Sequence, residues 1–121
     1  MSIDLSTFRP ANAGELLQGI LDYVAPIAGG EWEKAVPEVK GYLETVAQAA
    51  FLTTTQLAAG KITQEQADLA FHMQELSLNQ ILLYSKVLTY VTAQKVLNGV
   101  FQVLLSAVKN TTGVELSWLI T

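Results

Sequence analysis

A chain of 121 residues has room for one domain with a modest core. Its net charge of −4, with seven basic residues scattered singly, argues against a nucleic-acid binder, which needs a basic patch to neutralise phosphates. Half of the residues are hydrophobic and only 15% are charged, against roughly 25% in ordinary soluble domains, so some apolar surface is expected to meet a partner.

With no cysteine there is no disulfide framework, thiol nucleophile or cysteine zinc site. The amino terminus lacks the basic and apolar runs of a signal peptide, so cytoplasmic synthesis is expected. The charge is uneven: residues 1–75 hold ten acids and four bases, residues 76–121 one acid and three bases. A solvated acidic face accounts for that more simply than guided subunit stacking.

Residues 1–11 are a polar lead with Pro10 and read as an arm. Asn12-Ala13-Gly14-Glu15 has the form of a helix cap, and Ala13, Leu16, Leu17, Ile20, Leu21 and Val24 follow at helical spacing. That predicts a helix over 13–25, ended by Pro26 and the pair Gly29-Gly30.

Trp32, Val36, Val39, Leu43, Val46, Ala50 and Leu57 carry a second helix over 31–59, expected to break near Pro37 with its main body at 38–59. The stretch 45–60 has no charge and many small residues, which permits close helix packing; its 16 residues fall short of the 18 or so of a membrane span.

Gly60 stands where a helix needs a left-handed C-terminal residue, and Thr63 with Gln66 has the capping-box spacing. So short a connection makes the flanking helices antiparallel. From there residues 63–109 contain no proline and one glycine, and read as one long helix or two nearly collinear ones. At 1.5 Å per residue it extends for about 70 Å, too far for the preceding residues to cover.

Along its first half Glu65, Asp68, His72, Glu75, Asn79 and Lys86 draw one polar stripe. The stripe resumes at Lys95, Asn98, Gln102 and Lys109 on the opposite side, so the dry face changes midway. Residues 87–108 hold 14 apolar residues of 22, and burial between subunits is the expected use. Val87, Leu88, Tyr90, Val91, Leu97, Phe101, Leu104 and Leu105 are the candidate oligomer interface. Residues 87–92, rich in Val, Thr and Tyr, also carry a competing strand reading. Asn110-Thr111-Thr112-Gly113 is a stop, and the rest of 110–121 reads as an arm or short strand lying against a neighbour.

Chemistry is sparse. Glu65, Asp68, His72 and Glu75 share a helix face and in principle suit a divalent cation, but one histidine in the reversed order His72-x-x-Glu75 fits a solvated polar face better. No nucleophile elbow or phosphate-binding glycine loop occurs, so no catalytic, metal or cofactor residue is assigned and no enzyme is expected. Tyr84, Tyr90 and Phe101 suit a helix core more than an apolar ligand pocket.

The expected fold is all-α: a short N-terminal helix, then an antiparallel helical hairpin with a long apolar second helix, one domain assembled as a homo-oligomeric bundle. The expected function is a non-catalytic structural or assembly subunit, as in a phage particle, tube or ring. The alternatives are a membrane-active or pore-forming oligomer, disfavoured by Lys86 and Lys95 at about 2.5–3.5 kcal/mol each at mid-bilayer, and a small apolar-ligand carrier.

Overall fold

The computed structural model describes residues 3–116, and every regular element in them is a helix. The order is α1 (Ala13–Ala28), α2 (Gly30–Ala58), α3 (Gln64–Leu83) and α4 (Tyr90–Thr112). Asn12 opens α1 by accepting a hydrogen bond from the Glu15 amide at 2.8 Å, while the Glu15 carboxylate accepts one from the Ala11 amide at 2.9 Å. One bond satisfies an orphan amide of the first turn, and the other ties the residue before the cap to it.

Pro26 and Pro37 both lie inside helices, which corrects the ends predicted from them. α1 runs past Pro26 to Ala28, and α2 is continuous from Gly30 through Pro37, with no break near Val36. Trp32 and Ala35 before Pro37 share one buried face with Val39 and Leu43 after it, so burial along that face holds the helix through the missing amide. The boundary falls instead at Gly29, whose φ of 67° and ψ of −148° belong to a region open almost only to glycine. One residue ends α1 and starts α2.

The end of α2 has two backbone bonds of the Schellman type, Lys61 N–H to Gln56 C=O at 2.9 Å and Gly60 N–H to Leu57 C=O at 3.1 Å, with Gly60 at φ 72°. Thr63 then caps α3: its hydroxyl accepts from the Gln66 amide at 3.1 Å and the Gln66 carboxamide accepts from the Thr63 amide at 2.9 Å.

The single helix expected over 63–109 is two helices, and they are not collinear. Side chains replace the helical bonds across residues 84–89: the Ser85 hydroxyl accepts from the Val87 and Leu88 amides, each at 3.1 Å, and Thr89 caps α4 by accepting from the Thr92 amide. Two carboxylates on α2 complete the turn. Glu38 accepts from the Ser85 hydroxyl at 2.6 Å and the Lys86 amide at 3.1 Å, and Glu31 accepts from the Thr89 amide at 3.1 Å. α4 therefore folds back beside α3, with Gln94 donating to Asn79 at one end and Gln64 donating to the Glu115 carbonyl at the other.

Each helix packs on the next, α1 also packs on α4, and α2 touches α4 across the diagonal, giving a four-helix bundle. Phe71, Phe101, Leu16, Ile20, Leu43 and Leu104 are among the fully buried side chains at its centre. The N-terminal arm lies over this bundle. Phe8 sits on Gly19, where an added Cβ would collide with the ring, and the Asn110 amide donates to the Leu5 and Phe8 carbonyls at 2.9 Å each.

α4 continues to Thr112, beyond the stop expected at Lys109 and into the predicted arm at 110–121, and Gly113 closes it in the left-handed region at φ 76°. Residues 114–116 have no regular structure and fold back on their own chain, where Lys109 pairs with Glu115 at 2.7 Å and Leu116 packs against the core. The remainder of the predicted strand, 117–121, lies outside the described residues.

Candidate functional site: the outward face of α3

The residues expected to meet another subunit are mostly inside this one. Leu88, Leu97, Phe101 and Leu104 are buried by the chain's own helices, and Val87 and Leu105 are partly buried against the same core; only Tyr90 and Val91 are exposed. The reason is the turn at 84–89. An apolar helix that looked too long to cover becomes, once folded back, the helix that α1, α2 and α3 enclose.

The apolar surface that remains is on α3. Ala67, Phe71, Leu78 and Leu82 face the core, while Leu69, Met73, Leu76 and Leu83 are 59%, 61%, 53% and 45% exposed. Steps of four, three and seven keep the exposed four on one face, and at 100° per residue that face lies opposite the buried one. Tyr84, 85% exposed, extends the run past the helix end.

Between the two apolar faces runs the polar stripe seen in the sequence, turned toward α4: Asn79 is bonded to Gln94, and the Glu75 side chain is only 12% exposed. Glu75 and Asn79 thus occupy the seam beside α4, while Glu65 and His72 of the same stripe are exposed. Sequence reading followed the polar stripe and so missed the outward leucines, although their spacing is as regular as the stripe's.

Beside this face, α2 and α3 bound a groove of about 460 Å³ lined in part by Glu38, Tyr42, Gln80, Ile81 and Tyr84. The hydroxyl of Ser85 and then the amide of Lys86 hold the Glu38 carboxyl below its ordinary pKa, so it is committed as an acceptor to the α3–α4 turn. Tyr84 and Tyr90 are exposed while Phe101 is in the core, so the three do not line one pocket.

His72 Nδ1 lies 3.4 Å from Glu75 Oε1, and among the described residues no three histidine or acidic side chains converge as a metal site would require. α4 is, among the described residues, the one helix long and apolar enough to cross a membrane, and 56% of the qualifying window is buried inside the bundle. Comparison with protein-family models, curated proteins and solved structures finds no match.

Proposed function

We propose that this protein is a non-catalytic structural or assembly subunit that self-associates, and that its working surface is the outward face of α3. The observation carrying the reading is the exposed run Leu69, Met73, Leu76 and Leu83 on a helix whose opposite face already fills the core. Scattered exposed apolar side chains are ordinary; three leucines and a methionine on one face of one helix are the composition of a contact surface.

The membrane reading draws less support. The helix that passes for a span by length and composition is the one whose apolar side chains the bundle encloses, so insertion would first have to open the core. The test is the mass of the protein in dilute neutral buffer without detergent, by light scattering. A mass above the 13.1 kDa of one chain that rises with concentration is expected, and 13.1 kDa at every concentration would refute self-association.

A further inference from the structure

The self-associating reading leaves the geometry of the contact open, and on that reading the residues around α3 supply one. We infer that α3 pairs with α3 of a second copy, the two helices antiparallel about a two-fold axis at Leu76. Such an axis sets Leu76 over its own counterpart and places Leu69 of one copy over Leu83 of the other, each seven residues from the centre. The exposed leucines are thereby matched to one another, as an isologous contact requires.

Charge selects the antiparallel arrangement. Glu65 stands in the first turn of α3 and Lys86 just past its end, in the turn at 84–89, so an antiparallel pairing brings each acid to the end of the contact where the other copy's lysine lies. Both side chains are exposed and neither forms an ion pair among the described residues, although the Lys86 charge is felt by Glu38. A parallel pairing would instead set Glu65 against Glu65 and align the two helix dipoles; the antiparallel one opposes them. No charge lies on the outward positions between Met73 and Tyr84.

Size sets the strength. A 20-residue helix about 30 Å long and about 10 Å wide offers on the order of 300 Å² by itself, below the roughly 800 Å² per partner of a standard interface. The contact therefore spreads onto the neighbouring flank of α2, which is uncharged from 45 to 60 and exposes Leu52 and, at the groove, Tyr42. A two-fold axis perpendicular to α3 brings the α2 helices of both copies to the same side, where these residues adjoin. The expected dimer is concentration-dependent, in the micromolar range.

The experiment is sedimentation equilibrium of the full chain from about 1 to about 200 µM, a span that brackets micromolar dissociation. Wild type is expected to rise toward twice 13.1 kDa. Leu76→Glu sets two carboxylates on the axis and is expected to stay monomeric with unchanged helical circular dichroism, because Leu76 takes no part in the core. Since the chain has no cysteine, Leu76→Cys tests the same contact without adding charge: it is expected to oxidise to a disulfide-linked dimer where Val91→Cys does not.

Glu65→Lys and Lys86→Glu should each weaken dimerisation roughly three- to tenfold, the symmetry repeating each exposed pair twice, and the double exchange should restore it. A chain that stays monomeric throughout overturns both this inference and the self-associating reading. A dimer that Leu76→Glu leaves intact, or that Leu76→Cys fails to cross-link, overturns this inference alone, and a double exchange without recovery overturns the antiparallel orientation.

Discussion

Phe101→Ala separates a core position from an interface position, which are the two uses open to that ring. Phe101 is fully buried within one chain, beside Val100, Leu104 and the rest of the central cluster. Truncating such a ring removes its transfer free energy and leaves a cavity that the helices fill only in part, a loss of about 3–5 kcal/mol. Domains of this size are stable by about 5–15 kcal/mol, so the variant should remain folded in the cold with a melting temperature lowered by about 10–25 °C. The assay is urea and thermal unfolding at two protein concentrations a hundredfold apart. A core defect gives the same loss at both, whereas an interface defect shrinks as dilution releases the partner from wild type too. A loss under about 1 kcal/mol, or one present only at the higher concentration, would refute the enclosure of α4 by its own chain.

Three further outcomes follow from local chemistry. Gly29→Ala forces a side chain into the backbone region that joins α1 to α2 and should cost about 1–3 kcal/mol in urea unfolding, even though open space surrounds the position; a neutral variant would place the boundary elsewhere. Glu38 has its pKa lowered in the fold, first by the Ser85 hydroxyl and then by the Lys86 amide, so the stability it contributes is present above the ordinary glutamate pKa of 4.5 and is lost as pH falls through the lower folded value. The difference in urea midpoint between wild type and Glu38→Gln should therefore narrow below pH 4.5, and a gap independent of pH would remove Glu38 from the turn. Asn110→Ala deletes two hydrogen bonds to the N-terminal arm, worth about 1 kcal/mol each, and should speed hydrogen exchange at residues 3–11 without changing exchange in α2 or α3; unchanged arm exchange would show that Phe8 alone holds it.

The all-helical class was legible because helical spacing and capping are properties of a few neighbouring residues. Asn12 with Glu15 and Thr63 with Gln66 read as caps in the sequence and make cap bonds in the structure for the same local reason. The turn at 84–89 was not legible as a turn. It contains neither glycine nor proline, and half of its hydrogen-bonding partners come from Glu31 and Glu38, some fifty residues away in the chain. Two traces of it were visible: the change of dry face between Lys86 and Lys95, and the β-branched run after Lys86. The prolines misled in the opposite direction, since the breaking tendency of Pro37 is local while the face joining Trp32 to Leu43 is set by tertiary packing. Of the predicted interface, Leu97, Phe101 and Leu104 were recognised as apolar enough to need burial, but periodicity within one helix does not say which chain provides the cover.

The outward face of α3 poses a different physical question from the core. Phe71, Leu78 and Leu82 already satisfy the bundle, so leucine or methionine at 69, 73, 76 and 83 adds little to the folding of a single chain and leaves apolar area in water. A monomeric bundle would fold as well with glutamate or lysine there, and such residues would supply i,i+4 pairs and solubility. The same helix holds Glu75 largely covered and Asn79 bonded across to α4, while Glu65, Gln66, His72 and Gln80 are exposed. An amphipathic helix serving one core would place polar residues at 69, 73, 76 and 83 as well. On the self-associating reading proposed above, α3 carries two apolar faces, one inside the bundle and one for a second copy at Leu76, with part of the polar stripe between them.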